Sequence, residues 1–229
     1  MSTKSKCILL LDKNEYLATA AEDFCKTLFD IAFVTRCDRQ TKVLPKEVFE
    51  TSEKYEIEYL FNFLSPLKVS KKTLNNIKKY SINFHPAPPT YPGVGSASYA
   101  LFSKEKIYGV TAHVMEETFD SGEILSVLEF SITPGDYCDT LFDRALVYSL
   151  ILFYQVLENL SNLGKIEPIN MKWAKKSTTR KEFEKWITIN PNDPVEMNKR
   201  KIRSIKHSRF SGPYLKIFDE IFELPPRKK

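Results

Sequence analysis

Cysteine is scarce in this sequence, and its spacing disfavours a metal site. There are four cysteines in 229 residues, and none forms a C-x-x-C pair or has the spacing of metal ligands. All four lie in apolar segments, where a free thiol behaves as a small hydrophobic side chain. We therefore expect no bound metal, and buried free thiols at Cys7, Cys25, Cys37 and Cys138.

Long apolar runs and a secretory leader are also missing. The apolar run after the charged start at residues 1–6 is too short for a signal peptide, and no stretch approaches the roughly 20 apolar residues that span a bilayer. Lysine and arginine are scattered rather than interleaved with aromatic residues, which disfavours a nucleic-acid binder. We therefore expect a soluble, cytoplasmic protein that binds neither membrane nor nucleic acid.

The composition that remains is that of a globular protein. Hydrophobic residues make up 42% of the chain and charged residues 28%, with both signs mixed along most of its length. This predicts a packed core and little disorder away from the ends. The net charge of +5 suits a ligand that bears phosphate, although a mild basic excess is equally common in proteins that bind no anion.

In the first 85 residues, short apolar runs alternate with segments of helical periodicity. The runs predict buried strands, and the periodic segments predict amphipathic helices. Their alternation predicts an α/β fold with a doubly wound, mostly parallel sheet, in which ligands bind beyond the carboxyl ends of the strands. Strands are expected at residues 7–11, 31–35, 58–63 and 81–85, and helices at residues 15–29, 45–54 and 70–79.

After a proline-rich loop, the pattern changes and then weakens. Helices are expected at residues 96–102, 137–163 and 178–186, strands at 108–115 and 123–132, and a hairpin at 215–224 around Asp219 and Glu220. Gly164 ends the long helix, and charge and proline increase from about residue 165. We therefore divide the chain into an α/β domain at residues 1–164 and a small subdomain at residues 165–229.

The stretch from Asn83 to Leu125 carries the residues best suited to chemistry. Asn83 and His85 are two residues apart on one predicted strand, so their side chains lie on the same face of the sheet. Prolines stiffen the chain directly after His85. Asp120 precedes a Ser-Gly turn in the loop between two predicted strands. Taken singly, His85 could be an ordinary strand histidine and Asp120 a turn cap.

Together these motifs resemble those of the folate-dependent formyltransferases. The family's hallmarks are Asn-x-His followed by prolines, then Gly-Val-Thr-x-His, then Asp-[Ser/Thr]-Gly. Here they stand as Asn83-Phe84-His85-Pro86, Gly109-Val110-Thr111-Ala112-His113 and Asp120-Ser121-Gly122. The resemblance covers residues 59–132 and implies a Rossmann-like core.

The resemblance also implies roles for particular residues. It makes Asn83, His85 and Asp120 the catalytic trio and N10-formyltetrahydrofolate the formyl donor. An Asn amide can stabilise the oxyanion of formyl transfer, and a His can move the proton from the amine while a carboxylate orients it and raises its pKa. His113 is expected to be structural. The pterin would lie near the loop formed by Phe63, Leu64, Ser65, Pro66 and Leu67.

Three features narrow the choice within the family. The loop at residues 12–16 has no glycine, unlike the phosphate loop of glycinamide ribonucleotide formyltransferases. The tail after Gly164 is too short for the tRNA-binding domain of methionyl-tRNA formyltransferases. The Pro-x-Tyr-Pro-Gly sequence at residues 89–93 is similar to that of the sugar N-formyltransferases. The resemblance therefore implies that the acceptor is a nucleotide-linked amino sugar, such as dTDP-4-amino-4,6-dideoxyglucose, for surface polysaccharide.

Residue type alone suggests which side chains would hold such a sugar nucleotide. Aromatic rings could pack against the sugar or stack on the base, and cations or His could meet the diphosphate, although the tryptophans are more often packing residues. The candidates are Tyr91, Lys172, Trp173, Arg180, Arg203, His207 and Tyr214. We expect a homodimer through the apolar hairpin at residues 215–224. Formylation of another small amine, or a non-catalytic relative that binds folate or nucleotide, remains an alternative.

Overall fold

The computed structural model describes residues 4–13, 15–38, 40–41 and 43–226, with the side chain of Glu15 excepted. Strands and helices alternate through its first part, as the sequence predicts. They are β1 (Lys6–Asp12), α1 (Glu15–Leu28), β2 (Asp30–Cys37), α2 (Lys46–Lys54), β3 (Tyr59–Phe63), α3 (Lys71–Asn76) and β4 (Tyr80–His85). The later elements are α4 (Ser96–Phe102), β5 (Ile107–Val114), β6 (Ile124–Ser131), α5 (Cys138–Leu163), α6 (Arg180–Trp186), β7 (Thr188–Ile189), α7 (Val195–Ile205), β8 (Tyr214–Ile217) and β9 (Glu220–Glu223).

A six-stranded sheet in the order β2-β1-β3-β4-β5-β6 forms the centre of the fold. The first four strands of this order are parallel, and β5 and β6 are antiparallel to their neighbours. The prediction of a doubly wound, mostly parallel α/β fold is therefore confirmed. Strand β5 runs opposite to the first four strands, and β6 returns to their direction because a short loop joins it to β5, whereas a parallel neighbour would need a crossover connection.

The two faces of the sheet differ in what covers them. On one face, Phe61 and Phe84 pack with Phe153 of α5 in the larger hydrophobic core, which α1 also joins. On the other face, Ile8 and Leu60 pack with residues of α2 and α3 in a smaller cluster. Because side chains alternate along a strand, Asn83 and His85 lie on this second face, beyond the edge of the smaller cluster.

Helix α5 corrects one expectation from the sequence. At 26 residues it is long and apolar enough to cross a membrane, the one such helix among the described residues. Core helices of globular proteins share this length and composition. In the structure, its inward side chains, such as Leu152, Phe153 and Leu157, are buried against the sheet and α1. Packing in a core therefore accounts for its apolar character.

Three other differences from the predicted elements have local causes. Helix α3 ends at Asn76, because Lys78 and Lys79 donate backbone hydrogen bonds to the carbonyls of Ile57 and Glu58 and so lead into the sheet. The hairpin turn is centred on Phe218 and Asp219, one residue earlier than expected. Helix α7 was not predicted, because its charged sequence shows only a narrow apolar stripe that contacts the core through Ile202 and Ile205.

The segment after Gly164 forms its own small sheet, in the order β7-β8-β9. Ile187, Ile189 and Ile205 are the buried members of its hydrophobic cluster. The segment is attached to the larger sheet's loops by a bridge between Gly93 and Thr178. The domain boundary after residue 164 stays a prediction. The four cysteines are buried and free, as expected.

Candidate active site

A row of three polar side chains crosses the second face of the sheet. Asn62 on β3 is the register partner of Asn83 on β4, and Asn83 is the register partner of His113 on β5. The Asn62 Nδ2 atom donates to the Asn83 Oδ1 atom at 2.9 Å. The Asn83 Nδ2 atom lies 3.0 Å from His113 Nε2. Strand register therefore brings together residues that are 51 positions apart in the chain (113 − 62).

The direction of these hydrogen bonds follows from the far end of the row. His113 Nδ1 lies 2.8 Å from the backbone oxygen of Val114, so this nitrogen carries the proton and donates. In the neutral ring Nε2 is then an acceptor, to which the amide of Asn83 donates, and Asp120 Oδ1 lies farther away, 3.6 Å from the same nitrogen. The Asn83 side chain is thus held with its oxygen towards Asn62 and its NH₂ group towards His113. The second N–H of that group is available for another acceptor.

His85 lies on the same face, two residues beyond Asn83, between two hydrogen-bond acceptors. Its Nδ1 atom is 3.5 Å from Asp120 Oδ1, and its Nε2 atom is 3.4 Å from the backbone oxygen of Tyr91. A neutral imidazole has a single N–H, so it can satisfy only one of these acceptors, whereas the protonated ring can satisfy both. The surroundings of His85 are therefore arranged to accept a proton during a reaction.

Burial sets the resting charge of His85. Desolvation lowers the pKa of His85 below its ordinary value of 6.5, and although Asp120 acts in the opposite direction it does not offset the burial. We expected the carboxylate to raise this pKa, so the net direction is a correction. Since the ring is neutral at pH 7, His85 is suited to act as a base.

Asp120 is held in place as an ionised carboxylate. Burial alone would raise the pKa of Asp120, but interactions with His85 and His113 and a backbone hydrogen bond from Gly93 outweigh it, and the pKa is lowered. The bond from the Gly93 nitrogen to Oδ2 is 2.8 Å long. Asp120 has a positive φ of 49°, a conformation that Asp tolerates better than most residues.

Two glycines allow the loops around Asp120 to approach so closely. A Cβ atom on Gly122 would lie 2.0 Å from the backbone oxygen of Val114. A Cβ atom on Gly93 would lie 2.3 Å from the backbone oxygen of Thr178, and Gly93 also has a φ of 89°. These positions therefore have a steric reason to be glycine.

The segment that contains Trp173 covers both imidazole rings. Trp173 Nε1 donates to the Gly122 oxygen at 2.8 Å, and its ring centroid lies 4.9 Å from that of His113 and 5.9 Å from that of His85. The backbone nitrogens of Ala174 and Thr178 donate to the oxygens of Pro89 and Pro92. The segment is thus fastened along the proline-rich loop. Its apolar cover reduces the access of water to the two histidines.

The loop predicted to hold the pterin joins this arrangement through Asn62. The Asn62 Nδ2 atom also lies 3.2 Å from the backbone oxygen of Ser65. Leu64 has a positive φ of 64°, and Ser65 and Leu67 are buried while Pro66 is exposed. The hydrogen bond from Asn62 and the positive φ of Leu64 together fix a turn of the backbone at the carboxyl end of β3. The pterin contacts of Phe63, Leu64, Ser65, Pro66 and Leu67 stay a prediction.

The structure brings two of the predicted acceptor-binding residues to the trio. Tyr91 is half-buried, its carbonyl faces His85, and its hydroxyl group donates to Glu105 at 2.8 Å. Trp173 lies over the histidines, and Lys172, its neighbour in the chain, is exposed. Contact between these three side chains and a bound substrate stays a prediction.

The other candidates take part in different contacts. The guanidinium of Arg203 donates to the backbone oxygens of Pro134 and Asp136, before the start of α5. His207 is buried and its ring meets that of Phe142 on α5. Tyr214 belongs to β8 of the small sheet, and Arg180 begins α6. Contact between these four residues and a bound substrate stays a prediction.

Sequence reasoning missed Asn62, although a signal for it exists. Asn is depleted in strands, and Asn62 interrupts the otherwise apolar β3, where its side chain is 3% exposed. A polar residue in such a strand requires partners, and the register supplies them. The covering position of Trp173 has no comparable signal, because it depends on contacts with residues about 50 positions earlier.

The geometry supports one kind of chemistry. A neutral imidazole that faces two acceptors can take a proton from an attacking amine, and the ionised Asp120 beside it stabilises the resulting cation. The free N–H of Asn83 can stabilise an oxyanion. The arrangement thus suits acyl transfer to an amine without a covalent nucleophile.

Comparison with known proteins shows the family to which this sequence is similar. Residues 31–157 match the model of the protein family described as formyl transferase. A GDP-perosamine N-formyltransferase of Brucella melitensis biotype 1 is 24% identical over 181 residues, which are 79% of this chain and 69% of that protein. These matches cover the three motifs from which the resemblance was drawn.

Solved structures show the same fold. A 4-N formyltransferase from Francisella tularensis superposes with a TM-score of 0.76 at 18% identity, over 98% of each chain. An N-formyltransferase from Helicobacter canadensis, solved with folinic acid and dTDP-3-aminofucose, has a TM-score of 0.69 at 18% identity, over 95% of this chain and 85% of that one. Because the family match spans more than half of the chain and includes Asn83, His85 and Asp120, this protein belongs to the formyl transferase family.

Proposed function

We propose that this protein transfers a formyl group from N10-formyltetrahydrofolate to the amine of a nucleotide-linked amino sugar. The observation that carries the proposal is the site at Asn83, His85 and Asp120, where a neutral imidazole, an ionised carboxylate and an amide N–H share one face of the sheet. These are the groups that amine formylation requires.

The reaction begins when the neutral amine attacks the formyl carbon. The carbonyl oxygen becomes an oxyanion, which accepts a hydrogen bond from Asn83. His85 takes a proton from the attacking nitrogen and becomes a cation, which Asp120 stabilises. The bond between the formyl carbon and N10 then breaks, and His85 returns the proton to N10 of the departing tetrahydrofolate. The new C–N bond is that of the formamide product.

The acceptor class is supported by the relatives. One is a GDP-perosamine N-formyltransferase, and a structural neighbour was solved with dTDP-3-aminofucose. These ligands differ in base and in sugar, so they support the class of nucleotide-linked amino sugar more than any one member. Within that class we propose dTDP-4-amino-4,6-dideoxyglucose, made for surface polysaccharide such as the O-antigen of lipopolysaccharide. Tyr91, Trp173 and Lys172 would then meet the sugar and its diphosphate.

The setting of the enzyme is also proposed. We expect a cytoplasmic homodimer, in which the hairpin of the small C-terminal subdomain at residues 165–229 contributes to the interface. The support is the exposure of Phe218 in the hairpin turn and of Ile221 and Phe222 on β9, since clustered exposed apolar side chains favour association. Light scattering that shows a monomer at micromolar concentration would remove the dimer.

The experiment that tests the function is an assay with N10-formyltetrahydrofolate and a panel of amines, followed by the release of tetrahydrofolate. The panel holds dTDP-, UDP- and GDP-linked amino sugars, glycinamide ribonucleotide and charged initiator tRNA. We expect turnover with one class of sugar nucleotide. Turnover with another amine alone would replace the proposed acceptor. Absence of both turnover and folate binding would mean that the chain is a relative with a different function.

A further inference from the structure

We propose that Asn62 is a positioning residue, which fixes the amide of Asn83 in the orientation that formyl transfer needs. Its kinetic consequence rests on the proposed function, but the orientation of the amide is a property of the protein alone. The two can therefore be tested separately.

The hydrogen bonds of Asn62 show that its side chain acts as a donor. Its side chain is 3% exposed, with Leu10 as its register partner on β1 and Asn83 as its partner on β4. Its Nδ2 atom donates to both Asn83 Oδ1 and the Ser65 oxygen, whereas its Oδ1 atom has no hydrogen-bond partner among the described residues. A buried amide oxygen without a partner is unfavourable. The contribution of Asn62 therefore comes from its NH₂ group.

Asn83 is constrained from both sides, and the two constraints agree. On one side, His113 presents an acceptor nitrogen because its other nitrogen donates to Val114. On the other side, Asn62 presents a donor. Only one orientation of the Asn83 amide satisfies both neighbours. A side chain that accepts a hydrogen bond at position 62 would favour the reversed amide, whose oxygen would face His113 Nε2.

The orientation matters for the reaction because Asn83 supplies the N–H that meets the oxyanion. If the Asn83 amide were reversed, its NH₂ group would point towards β3. Its free N–H would then no longer face the place beside His85 and Asp120 where the oxyanion forms. The hydrogen bond from Asn62 to the Ser65 oxygen also links the Asn83 amide, through Asn62, to the predicted pterin loop. A change at Asn62 should therefore lower kcat more than it alters the KM for the amine.

The first variant is Asn62→Asp, which exchanges a donor for a group that titrates. When the new carboxyl is protonated its O–H can donate to Asn83 and restore the native orientation; when it ionises it can only accept. The titratable groups on the same side are His113, reached through Asn83, and then Asp120 and His85; Leu10 faces it from β1. Burial and the Asp120 charge both oppose ionisation.

The expected result is a new alkaline limb in the pH profile of kcat. Above the pKa of the introduced carboxyl, N62D should lose about tenfold to a hundredfold in kcat, less than the roughly 10²–10³ expected for removal of an oxyanion donor itself. At lower pH the activity should approach that of the parent enzyme. Asn62→Leu, which neither donates nor titrates, should lose activity at all pH values without the new limb.

The control is Asn76→Asp, since the Asn76 amide also donates to a side chain, Ser52, but does so on α3. It should leave kcat and the pH profile unchanged. If N62D does not fold, N62L carries the test. Full kcat in N62L, or an N62D profile identical to that of the parent, would overturn the proposal.

A measurement without substrate separates this proposal from the proposed function. The chain has three histidines, so nitrogen NMR of their imidazoles can be assigned with few variants. The parent should show His113 protonated on Nδ1 alone, and N62D at alkaline pH should show protonation of Nε2. If His113 changes its tautomer in N62D but the parent enzyme transfers no formyl group, the positioning role of Asn62 is supported and the proposed function is refuted. If the His113 tautomer is unchanged in N62D, the positioning role of Asn62 is overturned, even if the enzyme is active.

Discussion

The second face of the central sheet has two halves, built on neighbouring strands from residues of opposite character. Over β1 and the start of β3, Ile8 and Leu60 pack under α2 and α3 in a dry apolar cluster. Over β4 and β5, Asn83 and His113 form a polar row, which a loop and Trp173 cover. Asn62 lies two residues after Leu60 on the same face of β3, at the boundary between the apolar half and the polar half. Apolar packing joins the first half to its helices, whereas hydrogen bonds between side chains join the strands of the second half.

The two histidines of the polar half differ in their hydrogen-bond partners. With the proton on Nδ1, His113 donates to the Val114 oxygen and accepts from the Asn83 amide at Nε2, and Asp120 Oδ1 lies 3.6 Å from the same Nε2 atom. His85 has acceptors on both sides, so its neutral form is left with one unsatisfied contact. Both rings are buried, so we expect the difference in their partners to make His113 a structural residue and His85 the proton acceptor. The partners, more than the residue type, decide the role.

The largest effect should follow removal of the base. We expect His85→Ala to lower kcat by about 10²–10⁴, the range for loss of a general acid–base group. Asp120→Ala should have a similar effect, and the double variant should cost little more than either alone, because the two act as a unit. Single-turnover kinetics on folded variants, checked by circular dichroism, would measure this. Near-parental rates in either single variant would refute the mechanism.

Removal of the oxyanion donor should have the next largest effect. Asn83→Ala should lower kcat by roughly 10²–10³. The KM for the amine should change far less, since the donor acts on charge that develops in the transition state. A loss below about tenfold would assign the oxyanion to another group.

The pH dependence should report the burial of His85. Since the base must be neutral, kcat/KM should fall about tenfold per pH unit on the acid side. The midpoint should lie below 6.5, because burial lowers the pKa of His85 in the folded enzyme. Between 6.5 and the lowered pKa of His85 the unfolded chain binds more protons than the folded chain, so the free energy of unfolding should also decrease as the pH falls through this window. A midpoint above 6.5 would show that Asp120 outweighs burial.

Loss of the cover should have a smaller effect. Trp173→Ala should lower kcat by about tenfold, because water would enter the site and weaken its electrostatic interactions. Trp173→Phe keeps an aromatic ring but loses the hydrogen bond to Gly122, so its kcat should lie between those of the parent and Trp173→Ala. Trp186→Phe is the matched control, since Trp186 packs against Tyr99 and Phe102. Equal rates for all three variants would remove Trp173 from the mechanism.

The smallest effect on catalysis should come from the apolar half. Ile8 is fully buried, and Ile8→Ala should lower the free energy of unfolding by about 2–5 kcal/mol. The kcat of the folded fraction should stay within about twofold, because no reacting group depends on Ile8. Denaturant unfolding and kinetics on the same sample would show both. A large loss of kcat would mean that the two halves are coupled.

Much of the fold was accessible from local patterns. Short apolar runs and helical repeats predicted most strands and helices of the first 163 residues, because each pattern reports which side chains of an element meet the core. The helix α7 was missed, since its four basic residues obscure the stripe that Ile202 and Ile205 form. Of the small sheet, only the hairpin of β8 and β9 was predicted. Strand β7 was not, because it has two residues and is defined by its pairing with β8.

The sequence by itself determined the three family motifs, their order and the place of Asn83 and His85 at the carboxyl end of a strand, because these are properties of short segments. Only the tertiary structure decided the pairing of Asn62 with Asn83, the net pKa shift of His85 and the place of Trp173. Each of these depends on strand register or burial, which join residues far apart in the chain. A motif can name the reacting groups, but their orientation and charge follow from the neighbours that the fold supplies.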